Sequence, residues 1–214
     1  MTQRLTGKVG IYGGSFNPIT TAHVQIAELV AKKLSLSWLM FEPTNNEYDK
    51  NGLEDVEHRI NMIQEIFDDS APIDGCIYSV GGVDALSFGK MYTYELLRRY
   101  KNMFRESELF FVMGSDNLKE FHNWKQPEKI FEMASLVVIG RGTDDIAKII
   151  SSNPILSKNI NKIIVIDVKR NSLSATLVRN WLKSGVTVAG RYLPRKVLNY
   201  IREHKLYEKR SENS

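Results

Sequence analysis

The chain has 214 residues, 43% of them hydrophobic, enough to bury one sizeable core with room for little more than a single domain and a small appendage. Lys and Arg number 29 against 25 Asp and Glu, and the resulting charge of +4 suits anionic ligands but is too small and too scattered for a basic nucleic-acid-binding surface. The single cysteine, Cys76, excludes an intrachain disulfide and a Cys-rich zinc site, and no run approaches the ~20 apolar residues of a membrane helix, so a soluble, non-secreted chain without a membrane partner is expected.

In chain order, short apolar runs alternate with amphipathic stretches. The runs at 8–12, 37–42, 76–80, 108–113, 135–140 and 162–167 predict strands, and helices are expected at 21–34, 54–68, 92–103, 126–133 and, from a weaker pattern, 143–151. Strands separated by helices of this length predict a doubly wound α/β architecture with a parallel sheet. The polar segment 43–53 reads as an exposed loop after the second strand, where ligand contacts commonly gather. Two helices, near 175–184 and 194–205, close the chain as a small C-terminal helical subdomain, and the final EKRSENS is expected to fray.

The stretch GIYGGSFNPITTAH, residues 10–23, joins a buried strand, a glycine turn and a helix start. Gly13 and Gly14 let backbone approach a ligand, and with Thr20 as N-cap, His23 falls at N3 in the first helical turn. There the unpaired N–H groups and the positive end of the helix dipole attract an anion, whose oxygens an imidazolium can also reach. The competing reading is an ordinary α/β turn followed by a surface histidine. A second such site begins at NSLSATLVR, where Ser174 can cap a helix, Thr176 lies in its first turn and Arg179 follows one turn later; a capped surface helix would read the same way. In FFVMGSDNL, Asp116 follows a strand end, where it can accept from ribose hydroxyls or simply cap a helix. Trp124 offers either a face for base stacking or a core side chain.

Read together, GGSFNPITTAH, GSDNL with its following Trp, and SATLVR resemble, in order and separation, the nicotinamide/nicotinate mononucleotide adenylyltransferases. The resemblance covers most of the chain. FEPTNNEYDKNGL followed by EHRINMI is similar to the eukaryotic-type enzymes, and MYTYELL to a segment of the bacterial nicotinate enzymes. It implies a Rossmann-like core over 1–173, a helical subdomain over 174–209 that completes the ATP site, and a tail at 210–214.

The resemblance further implies that ATP and a pyridine mononucleotide combine to give NAD or its deamido form plus pyrophosphate, without a covalent enzyme intermediate. Gly13, Gly14, Ser15 and Phe16 would contact the nucleotides, with Lys50, Thr93, Glu95 and Trp124 serving the mononucleotide. Thr20, His23, Gly114, Asp116, Arg141, Ser174, Thr176 and Arg179 would serve ATP. His23, Lys50 and Arg179 would stabilise the spreading charge, with Mg²⁺ carried mainly by the ATP phosphates and no dedicated protein metal site. Thr20 and Ala22 replace the first His and the Gly of the HxGH form, and Leu96 stands where a Thr is usual.

Three alternatives stay open: another small-molecule nucleotidyltransferase such as a pantetheine-phosphate adenylyltransferase, a nucleotide sensor without turnover, and a basic nucleic-acid binder. Amide or acid preference is not legible, and neither is a homo-oligomer against a monomer. The expected residence is cytoplasmic, with the nucleus also open.

Overall fold

The computed structural model describes residues 6–47, 52–67, 72–140, 145–168 and 174–208. Its strands are β1 (Lys8–Gly14), β2 (Trp38–Pro43), β3 (Ile77–Val80), β4 (Glu108–Gly114), β5 (Ala134–Gly140) and β6 (Ile163–Asp167). They form one six-stranded sheet in the order β3-β2-β1-β4-β5-β6, every pair parallel. The doubly wound, Rossmann-like architecture expected from the alternation is therefore the one observed.

Alternation within the strands explains why both faces are covered. Val9, Ile11, Met40, Leu109, Phe111, Met113, Leu136 and Val138 feed one hydrophobic cluster, and their neighbours Tyr12, Leu39, Phe41, Phe110, Val112, Val137 and Ile139 feed another. A parallel strand buried on both sides must be apolar at nearly every position, which is why these segments read as continuous runs. Helices α1 (Thr21–Leu34) and α2 (Val56–Phe67) cover the Tyr12 face. On the Ile11 face lie α3 (Thr93–Met103), α4 (Ser115–Lys119), α5 (Pro127–Met133), α6 (Ile146–Ser152) and α7 (Pro154–Lys158). The closing helices α8 (Ala175–Lys183) and α9 (Arg195–Glu203) bury Val178, Val197 and Ile201 in the same cluster as α1 and α2.

Strand order reverses between β1 and β4, and at such a switch point the loops leaving the two strands diverge to opposite faces and leave a crevice. Two differences from the sequence reading bear on it. Strands β1 and β4 run on through Gly14 and Gly114, so the glycines lie at the strand ends themselves. Helices α4 and α7, five residues each, are too short to show a 3.6-residue period and were not expected. Among the described residues no helix is long and apolar enough to cross a membrane.

Candidate active site

Two cavities open at the carboxyl edge of the sheet, one on each face, and Gly13, Gly14, Ser15 and Asn117 line both. The end of β1 is thus a shared wall, and a Cβ at Gly13 would come within 3.1 Å of the Phe111 ring, closer than ordinary contact. The cavity on the Tyr12 face, about 430 Å³, is lined by Gly14, Ser15, Phe16, Thr20, His23, Gly114, Asp116, Ser174, Thr176 and Arg179. Those are all the described residues that the resemblance assigns to ATP. Arg141 and Lys50 lie outside the described residues.

Two helices begin at this cavity. Thr20 takes an extended conformation (φ −117°, ψ 165°) as N-cap of α1, placing His23 at N3. The His23 ring turns back on the cap: Nδ1 accepts the Thr20 backbone N–H at 3.0 Å and lies 2.9 Å from the Thr20 hydroxyl. An Nδ1 that accepts an amide N–H cannot itself carry hydrogen, so the ring proton resides on Nε2. The cap thus sets which ring nitrogen points a donor away from Thr20. Helix α8 begins at Ser174, whose hydroxyl accepts the Leu177 N–H at 3.2 Å. Two positive helix-dipole ends therefore converge on one space, an arrangement that binds a polyanion.

Arg179 joins the two helix starts. Its Nη1 donates to the Asn17 carbonyl at 2.7 Å and Nη2 to the Thr176 hydroxyl at 3.1 Å, fixing the guanidinium plane while other N–H groups of its five remain for a ligand. Asn17 was not singled out from the sequence, yet it ties several segments together. Its amide nitrogen donates to the Gly52 carbonyl at 2.8 Å, and its amide oxygen accepts the Tyr207 hydroxyl at 2.7 Å and the Glu54 N–H at 3.3 Å. Arg59, wholly buried, donates to the carbonyls of Ser15 and Glu54 and so holds the glycine turn from below. A signal for Arg59 did exist: it sits at helical spacing with the apolar Met62, Ile63 and Phe67, on the face of α2 that must be buried.

The Tyr207 contact yields a stability expectation. Tyr207→Phe keeps the ring and removes one hydrogen bond to a buried amide, so urea unfolding should show a loss of about 1 kcal/mol. An unchanged midpoint would remove Tyr207 from the network that supports Asn17.

The cavity on the opposite face, about 350 Å³, is lined by Gly13, Gly14, Ser15, Thr93, Leu96 and Trp124 together with Glu42, Asp84, Lys90, Tyr92 and Lys125. Trp124 is half-buried, its ring edge-on to Phe111 at 6.2 Å and tilted against Phe121 at 5.2 Å, which props the indole as one wall. Phe16 lines the other cavity, with its backbone in the left-handed region (φ 44°) and its ring edge-on to His23 at 5.4 Å. Glu95 lines neither cavity. Its carboxylate accepts the Tyr92 N–H at 3.1 Å and the Tyr94 hydroxyl at 3.0 Å at the start of α3, and the Tyr92 bond holds its pKa below the usual range.

Among the described residues neither a covalent nucleophile nor a metal cage stands out. Cys76 is buried, its thiol pushed up to about 11 by burial, so it carries no thiolate at neutral pH. Among the described residues no three His, Cys, Asp or Glu side chains gather as a metal site, and the one carboxylate lining the Tyr12-face cavity is Asp116. Such a donor set fits a hard cation that takes most of its ligands from phosphate and water.

Comparison with known proteins agrees with this geometry. The cytidylyltransferase-like family profile matches residues 11–181. A curated Clostridium acetobutylicum protein named "Probable nicotinate-nucleotide adenylyltransferase" is 30% identical over 203 residues, 94% of this chain and 98% of its own length. Two solved structures of the Plasmodium falciparum nicotinic acid mononucleotide adenylyltransferase share the fold. The complex with NaAD has a TM-score of 0.77 at 24% identity, covering 94% of this chain and 97% of its own. The complex with APC has 0.74 at 23%, covering 94% and 96%. With a profile match that spans both helix mouths, and a relative aligned almost end to end, the chain belongs to the cytidylyltransferase-like family, as a nucleotidyltransferase of its mononucleotide adenylyltransferase group.

Proposed function

We propose that this enzyme transfers the adenylyl group of ATP to nicotinate mononucleotide in preference to the amide, yielding deamido-NAD and pyrophosphate. The observation that carries the reading is the shared wall: a polyanion site with His23 and Arg179 and an aromatic-walled cavity with Trp124 meet at Gly13–Ser15. A triphosphate in the first would bring its α-phosphorus towards that wall, and the mononucleotide's 5′-phosphate would approach from the second. The new bond forms between a 5′-phosphate oxygen and the α-phosphorus as the bond from the α-phosphorus to its β-bridging oxygen breaks. A phosphate dianion needs no deprotonation to attack, so the protein's work is alignment and stabilisation of charge. His23 Nε2–H, the Arg179 guanidinium and the α1 and α8 N-termini would hold the leaving pyrophosphate. Mg²⁺ would accompany ATP, with Asp116 the carboxylate that lines this cavity, and would offset the charge on the phosphates.

The acid preference is supported by the names of the relatives and by Lys90 and Lys125, which line the Trp124 cavity and favour a carboxylate over a neutral amide. Initial rates with the two mononucleotides at fixed ATP test it. A kcat/KM at least ~10-fold higher for the acid is expected, the scale of one charge contact, and equal values or an amide preference would overturn it. Trp124→Ala should raise the mononucleotide KM about tenfold, since a stacking face contributes about 1–3 kcal/mol, and leave the ATP KM within twofold. An equal rise in both would assign Trp124 to packing.

A further inference from the structure

Beside Gly13 in the sheet register stands Glu42, near the end of β2, and it shares with Met40 the face that carries the Trp124 cavity. A carboxyl group 1% exposed at this place must be held by donors. One oxygen accepts the Asp84 backbone N–H at 2.7 Å, the other accepts the Tyr100 hydroxyl from α3, and the Val83 N–H adds to the set. Gly81 packs directly on the pair, where a Cβ would overlap both the Glu42 carboxyl and the Tyr100 hydroxyl. The turn leaving β3 is thus fastened to β2 by one buried acid. Asn45 extends the fastening, donating to the Gly89 carbonyl at 2.6 Å and to the Ser87 hydroxyl at 3.1 Å.

We infer that Glu42 is a positioning residue for the mononucleotide: with Tyr100 it clamps the Gly81–Asp84 turn as one wall of the Trp124 cavity and sets the charge that wall presents. This rests on the mononucleotide occupying that cavity. Burial, with a further push from Asp84, raises the Glu42 carboxyl to about 7, so the acid changes charge within the working pH range. The charged and titratable groups around it are Asp84 after β3, Tyr100 on α3, Lys90 and Lys125 across the cavity, and Arg59 on α2, which feels the charge of Asp84. Burial and the neighbouring Glu42 push the Tyr100 hydroxyl upward, so it stays protonated and donating. An anionic mononucleotide favours the uncharged form of Glu42. Raising pH through about 7 therefore ionises Glu42 in the free enzyme and weakens mononucleotide binding, without touching ATP on the other face.

The test measures KM for each substrate, and mononucleotide Kd by calorimetry, from pH 6 to 8.5 in wild type, Glu42→Gln and Tyr100→Phe. Glutamine keeps the shape and never ionises: its amide oxygen still accepts the Asp84 N–H, while its amide nitrogen can only donate, so the Tyr100 hydroxyl must turn to accept. In wild type the mononucleotide KM and Kd should rise about fivefold across the range, while in Glu42→Gln they stay within twofold. The ATP KM should be the same in both proteins. The mononucleotide's own phosphate titrates identically in each, so the difference between the profiles isolates Glu42. Tyr100→Phe should raise the mononucleotide KM about three- to tenfold and retain the pH dependence, as expected for one lost hydrogen bond in the clamp. A Glu42→Gln profile that follows wild type would overturn the inference, as would variants that raise both KM values equally. Should Glu42→Gln not fold, Tyr100→Phe decides alone: a rise confined to the mononucleotide supports the clamp, and a rise shared with ATP overturns it. Absence of mononucleotide turnover in wild type would instead overturn the substrate reading, which keeps the two failures apart.

Discussion

His23→Ala is expected to lower kcat by about 10²- to 10³-fold at saturating concentrations of both substrates, the usual cost of removing a preorganised donor from a developing anion. Because Nδ1 is engaged by Thr20, the ring is fixed in one tautomer and one orientation before ATP arrives. Removing the ring also removes a partner from the Thr20 N–H, so thermal unfolding should show a modest loss, about 1 kcal/mol, with the α/β circular dichroism signature retained. Retained folding together with near wild-type turnover would contradict the role assigned to His23. An Asn at the same position could offer an amide donor, and partial recovery in His23→Asn would point to donation rather than to proton transfer.

The second large effect is expected at Arg179. Arg179→Ala should reduce kcat/KM for ATP by about 10²-fold and weaken pyrophosphate binding in parallel, while mononucleotide KM changes by no more than about twofold. Arg179 touches the Tyr12-face cavity alone, and its plane is fixed by bonds to Asn17 and Thr176. Lysine should recover little. One ammonium cannot span the Asn17 carbonyl and the Thr176 hydroxyl and still present a planar fork to phosphate. Calorimetry with ATP and with the mononucleotide separates the outcomes: selective loss of ATP affinity fits, and equal loss of both would contradict the placement.

How far the sequence reaches is visible residue by residue. The six strands were legible because parallel strands buried on two faces must be apolar throughout, and the helix starts at Thr20 and Ser174 because capping is local chemistry. That both starts open into one cavity followed from no local pattern, since Asn17 and Arg179, which touch, stand 162 positions apart. The supporting network was illegible for the same reason: Tyr207 reaches Asn17 across 190 positions. Glu42 was hidden differently. Its position inside an apolar run makes a carboxylate look like an exception, and only its partners on β3's exit turn and on α3 show why it is tolerated. Glu95 was assigned to the mononucleotide by the resemblance alone, and helical geometry turns its carboxylate back onto the Tyr92 N–H.

The central claim is that one triphosphate lies between His23 and Arg179 while the mononucleotide sits across the β1 wall. A crystal structure with a non-hydrolysable ATP analogue and nicotinate mononucleotide tests it most directly. Phosphate oxygens at about 3 Å from both His23 Nε2 and the Arg179 guanidinium, with the pyridine ring against Trp124, are the expected result. A triphosphate that contacts only one of the two side chains, or both ligands on the same side of Gly13–Ser15, would contradict the account.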